Sequence, residues 1–132
     1  MNGELLRFSG AVKRDPAIDV WLNEQAPEWR AIAHKWFVRM RECGDDVGEL
    51  MHDGYATACV GDAPFGYVSP FKAHVNGGIF LWRRAARSGG PVGSGKRMRH
   101  VKVAPGADLN SAALSALIDA ACAHIKSRLE AK

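Results

Sequence analysis

The residues with the most chemical potential are eight bases with no acid among them. No Asp or Glu occurs between Asp62 and Asp108, and Lys72, Arg83, Arg84, Arg87, Lys96, Arg97, Arg99 and Lys102 all fall in that interval. Residues 63–107 thus hold 8 of the 18 Lys and Arg residues, in a chain whose net formal charge is +4. Residues 1–62 hold 11 acids and 7 bases, a net of −4, and residues 108–132 hold 3 of each. Such a separation creates a positive region that attracts anions. Arg83, Arg84 and Arg87 belong to a glycine-rich loop, and Lys96, Arg99, His100 and Lys102 to the strand after it. With Lys72 these are the candidate anion-binding residues, and an anionic ligand or nucleic acid is the expected partner. Contacts of this type are charge-driven, salt-sensitive and weakly specific.

Three other patterns bear on chemistry. Gly90 to Lys96 fits GxxxxGK, the first part of a phosphate-binding loop. That loop needs a Ser or Thr for Mg²⁺ and must open into a helix. Here Arg97 follows, and Met98 to Val103 reads as strand, so a flexible hairpin loop is the better account. His52, His74 and His100 lie in or beside strand-like segments but show no metal-ligand spacing, so no metal site is assigned. Phe65, Tyr67 and Phe71 near Lys72 have the basic-plus-aromatic character of single-strand binders, although alternation alone explains them as core. There is no GxSxG and no HExxH, so no catalytic residue is assigned and a non-enzymatic role is favoured. No cofactor is expected.

The elements that must position these residues follow from periodicity. Residues 1–14 show no clear period and read as a loosely ordered N-terminal arm. Asp15-Pro16 is an N-cap and first-turn proline, and Ile18, Trp21 and Leu22 give a short amphipathic helix. Ala26-Pro27 starts a second helix with the apolar stripe Trp29, Ile32, Ala33, Trp36, Phe37 and Met40. Gly44 suits a left-handed residue at its end. From Val47 the period becomes that of strands, with turns at Asp53-Gly54, Gly61–Pro64 and Asn76-Gly77-Gly78. Pro70 calls for an edge or a bulge. A last helix buries Leu114, Leu117, Ile118, Ala121 and Ile125. Hairpin turns without crossovers imply an α+β fold. The expectation is an antiparallel sheet of about five strands, with two N-terminal helices and one C-terminal helix packed on one face.

At 132 residues and 47% hydrophobic, the chain has the size and composition of one globular domain, here residues 15–132. No apolar run has the length to span a bilayer and Met1–Arg14 lacks a signal-peptide pattern, so a cytoplasmic protein without a membrane partner is expected, monomeric or homodimeric. Cys43, Cys59 and Cys122 form no CxxC pair and read as reduced thiols, with Cys59 and Cys122 in the core.

Three runs carry a resemblance to a known family: Glu49-Leu50-Met51-His52-Asp53-Gly54-Tyr55, Ala73-His74-Val75-Asn76, and Gly95-Lys96-Arg97-Met98-Arg99-His100-Val101-Lys102-Val103. With Ala113-Leu114, Leu117-Ile118 and Ile125-Lys126 they resemble the YdhG-like family of small uncharacterised bacterial domains, over about Asp15 to Leu129. The resemblance implies an α+β fold and no assigned reaction. Part of that family has been likened to frataxin, which implies, as an alternative, an iron-binding chaperone for iron–sulfur assembly. Asp15, Asp19, Glu24 and Glu28 would then be the candidate oxygen ligands. A small enzyme without a recognisable motif is the remaining alternative. The chain departs from the family at the loop, where Arg83-Arg84-Ala85-Ala86-Arg87 and a glycine run replace an acidic, leucine-containing segment.

Overall fold

The structure, a computed structural model, describes residues 7–70, 77–82, 98–103 and 111–130. Two helices come first. The Asp15 carboxylate accepts from Ala17 N at 3.0 Å and Pro16 sits at the first turn, which starts α1 (Pro16–Asn23). Pro27 starts α2 (Pro27–Arg41), which buries Trp29, Ala33, Trp36, Phe37 and Met40. Five strands follow: β1 (Val47–His52), β2 (Tyr55–Val60), β3 (Ala63–Pro70), β4 (Gly77–Trp82) and β5 (Met98–Val103). Helix α3 (Ser111–Glu130) closes the chain. The architecture is α+β, with an antiparallel sheet, two N-terminal helices and one C-terminal helix. The sheet order β1-β2-β3-β4-β5 is that of the sequence, a meander.

The β1–β2 turn is set by two residues of positive φ, Asp53 at 54° and Gly54 at 85°. Asp tolerates this region better than most residues and Gly enters it freely, and two such residues in succession make the tight hairpin turn that matches strand twist.

Cross-strand partners share a face, so the register assigns one side of the sheet to the helices. Val47, Ala58, Val60, Val68, Ile79 and Leu81 pack there with Trp29, Phe37 and Met40 of α2 and Leu114, Ile118 and Ile125 of α3. Each fully buried large apolar side chain in this layer contributes roughly 1.5–3 kcal/mol. The packing is close. A Cβ at Gly77 would lie 2.6 Å from Trp29 Cζ2, so the indole rests directly on the β4 backbone.

Three local expectations are revised. The register shifts between Ala58 and Cys59, where Ala58 pairs with Gly66 but Cys59 with Pro64. Phe65 is the extra residue of this bulge and enters the helix-side core, fully buried. The bulge is at Phe65, while Pro70 meets the edge alternative: it ends β3 opposite Gly77, beyond the last β2 pair, Ala56 with Val68. Gly44 does not adopt positive φ; α2 ends at the right-handed Glu42, and Gly44 is where α3 comes near, its would-be Cβ 3.2 Å from Lys126 Nζ. Part of the N-terminal arm is tied down. Phe8 is buried, its N–H donates to Asp62 O at 2.7 Å, and Val12 bridges to Glu49 on the outer edge of β1. Pairing there needs no amphipathic period, so periodicity did not reveal it.

Candidate functional site

The side of the sheet away from the helices is aromatic across four strands. His52 pairs with Tyr55 across the β1–β2 turn, and Tyr67 pairs with Phe80 across β3 and β4. The rings form a column: Tyr55 stacks on Tyr67 at 5.5 Å between centroids, and Tyr67 on Phe80 at 4.8 Å and 7°. Trp82 meets Tyr67 edge-on at 5.9 Å. At the β1 end, His52 stacks on Phe8 at 3.9 Å, and its Nε2 lies 3.4 Å from Asp53 Oδ2. Because strands lie about 4.8 Å apart, successive rings on neighbouring strands fall at stacking distance. Trp82 is buried, Tyr67 and Phe80 are half-buried, and Tyr55 is 37% exposed. Burial raises the Tyr67 phenol above its usual pKa, with the neighbouring Tyr55 adding to the effect, so the Tyr67 hydroxyl is a neutral donor at physiological pH.

Of the candidate anion-binding residues, the β5 register places three. Arg99 is opposite Leu81, on the parity of the helix-covered face, whereas His100 is opposite Phe80 and Lys102 opposite Gly78. The row Thr57, Tyr67, Phe80 therefore continues to the His100 position. Lys72, Arg83, Arg84, Arg87 and Lys96 lie outside the described residues, as do Phe71, His74 and the GxxxxGK loop. The aromatic reading of the sequence is met in part on this face, though not through all the expected rings. Tyr67 lies on it, and Phe65 is turned to the other side by the bulge. Tyr55, Phe80 and Trp82 were not singled out, although Phe80 and Trp82 share parity on β4 and could have been read from it.

The acids proposed for iron are differently engaged. Asp15 caps α1, and Asp19 pairs with Arg41 Nη2 at 3.2 Å and Arg14 Nη2 at 3.6 Å. Glu24 lies at the end of α1 and Glu28 in the first turn of α2, so the four do not converge. Among the described residues no group of three or more His, Cys, Asp or Glu is arranged to hold a metal ion.

A second polar constellation was missed. Glu49 on β1 is fully buried, and its carboxylate accepts from Arg41 Nε at 2.7 Å, Arg41 Nη2 at 2.9 Å and Asp15 N at 2.8 Å. Its backbone exchanges both hydrogen bonds with Val12. The Arg41 guanidinium lies over the Phe37 ring, 5.1 Å from the centroid. Glu49 therefore joins the arm, the start of α1, the end of α2 and the sheet edge. All its oxygens are used in structure, which makes it an anchor rather than a reactive acid. The available signal was an acid at the core-facing parity between Val47 and Met51.

Comparison of the chain with family models, with curated proteins and with solved structures found no match. Among the described residues no helix is long and apolar enough to cross a membrane.

Proposed function

We propose that this protein is a non-enzymatic module that binds single-stranded nucleic acid, RNA or DNA, held by stacking and charge. The observation that carries this reading is the aromatic column Tyr55–Tyr67–Phe80 on the sheet face opposite the helices. Stacking on aromatic rings is worth about 1–3 kcal/mol per base and is indifferent to sequence, because every base has a π-face. The Tyr55 end of the column is exposed, so a base stacked there would extend it. The acid-free stretch 63–107 supplies the complementary charge. In this reading Lys72, Arg83, Arg84, Arg87, Lys96, His100 and Lys102 hold phosphates, and Arg99, on the other parity of β5, is left out. The likeness to a YdhG-like domain is compatible with such a role and assigns no reaction against it.

The test is fluorescence anisotropy of a labelled single-stranded oligonucleotide of about a dozen nucleotides in a salt series. Tyr55→Ala is expected to weaken binding about tenfold. Changing Arg83, Arg84 and Arg87 together to Ala should reduce the slope of log affinity against log salt by about two, as expected for three phosphate contacts on a single strand. Absence of binding at about 50 mM salt, where such contacts are strong, would overturn the reading. Unchanged binding by Tyr55→Ala would remove the aromatic face from it.

A further inference from the structure

The C-terminal end of α2 meets α3 along a polar seam. Ser115, Asp119, Cys122 and Lys126 recur at spacings of four, three and four on α3, which places them on one helical stripe. Opposite them stand Arg39, Cys43 and Asp46. Arg39 donates to Asp119 Oδ1 at 2.8 Å and to Ser115 Oγ at 3.3 Å. Lys126 Nζ lies 3.5 Å from Asp46 Oδ1. Between these pairs Cys43 and Cys122 come together: Cys122 lies one turn beyond Asp119 and one turn before Lys126 on the α3 stripe, and Cys43 packs against the core that includes Cys122. Cys43 Sγ also accepts from Arg39 Nη1 at 3.7 Å and lies 3.8 Å from Asp119 Oδ1. Cys43 is half-buried and Cys122 is buried, so only the first is open to a reagent from solvent.

We propose that Cys43 and Cys122 are a peroxide-reactive dithiol, with Cys43 the attacking and Cys122 the resolving residue. The electrostatics agree with the geometry. The neighbouring Cys122 thiol lowers the Cys43 pKa, and the Arg39 charge adds to that against the opposing effects of burial and Asp119. Cys122 is pushed upward by that same interaction with Cys43, by burial and by the Cys43 charge. The thiolate is the nucleophile in such chemistry. The Cys43 thiolate attacks one oxygen of a hydroperoxide, the O–O bond breaks, and the alkoxide or hydroxide leaving group takes a proton from solvent. Sulfur is oxidised by two electrons and becomes a sulfenic acid while the peroxide is reduced. The Cys122 thiol then attacks the Cys43 sulfur, its proton leaves with the departing hydroxide as water, and the S–S bond closes. The product staples the end of α2 to α3. Cys59 takes no part, because it lies fully buried in β2 with its pKa raised to about 12 by burial.

The experiment treats the full-length chain with hydrogen peroxide, quenches with an alkylating reagent and maps the peptides by mass spectrometry. The expected product is a Cys43–Cys122 disulfide with the loss of two hydrogens, reversed by dithiothreitol. In Cys122→Ser the reaction should stop at a sulfenic acid on Cys43 that dimedone traps, and in Cys43→Ser the rate of thiol loss should fall at least tenfold. Circular dichroism confirms that each variant is folded, and the map of the unaltered chain stands without them. A first oxidation at Cys59, a Cys43 product that never pairs with Cys122, or an unchanged rate in folded Cys43→Ser would overturn the proposal.

Discussion

Replacing one partner of the buried Arg41–Glu49 pair should destabilise the protein by an amount that depends on which charge is left behind. In Glu49→Ala the Arg41 guanidinium loses two charge-assisted hydrogen bonds, and Asp15 N loses its acceptor. Arg41 nevertheless keeps Asp19 at 3.2 Å, and its side chain is 12% exposed. That residual pairing puts the loss at the lower end of the range for a broken buried pair, about 3 kcal/mol. In Arg41→Ala a carboxylate with no solvent exposure retains only Asp15 N and the Arg14 guanidinium, whose Nε is 4.0 Å away. The expected loss is about 4–5 kcal/mol. Asp19→Ala removes a 44% exposed acid and should cost under about 1 kcal/mol. Replacing both buried partners by apolar residues of similar volume, Arg41→Met with Glu49→Leu, should recover most of the loss. Urea denaturation followed by tryptophan fluorescence gives these differences from the midpoint and slope. A Glu49→Ala loss below about 1 kcal/mol, or one exceeding that of Arg41→Ala, would refute this account of the pair.

Three further outcomes can be checked in the same assay. Gly77→Ala should destabilise by about 2–3 kcal/mol through overpacking, because the new Cβ meets the Ser69 carbonyl oxygen and the Trp29 indole; a neutral effect would mean that both the β3 backbone and the indole can give way. Gly54→Ala should cost about 1 kcal/mol at a φ of 85°, with open space around the added methyl, so a larger loss would point to a role beyond the turn. Cys59 should make stability fall with rising pH: its folded pKa is raised to about 12, so its contribution is intact below the unfolded value and is lost between the two. From about pH 8.5 upward the unfolded chain releases this proton and the folded one retains it, giving a slope approaching 1.4 kcal/mol per pH unit. Cys59→Ala should make the profile less steep between pH 8 and 10, roughly the onset of that window, with the raised Cys122 thiol still contributing, and an unchanged profile would contradict the assignment.

The sequence made the helices and the strand region legible because each has one dominant period. The Trp29–Met40 stripe is the buried side of α2, and Asp53-Gly54 is the turn that its composition implies. What it concealed has physical causes. A bulge at Phe65 adds one residue and reverses the side on which the next residues fall, so uninterrupted alternation put Phe65 and Tyr67 together when they lie on opposite faces. Glu49 owes its role to Arg41 and Asp15, which reach it only after α1, α2 and β1 have packed. The Cys43–Cys122 pair depends on α3 returning to the end of α2, and no spacing in a one-dimensional chain records that approach. The basic residues were legible as charge but not as geometry, and the β5 register separates Arg99 from His100 and Lys102.

The meander has a consequence for the route by which the chain folds. Every strand pairs with the strand next to it in sequence, so the sheet can grow hairpin by hairpin, with only two residues to close between β1 and β2 and between β2 and β3. The helical layer is assembled differently. Its closing contact, Arg39 with Asp119, joins residues 80 apart. The entropy of closing a loop rises only as the logarithm of its length, yet it must be met before the contact can reward it. The economical order is therefore a sheet nucleated around the Asp53-Gly54 hairpin, with α2 condensing on it locally and α3 docking last. The same order leaves the resolving cysteine on the element that arrives late, so a nascent chain exposes Cys43 before Cys122 is in place beside it.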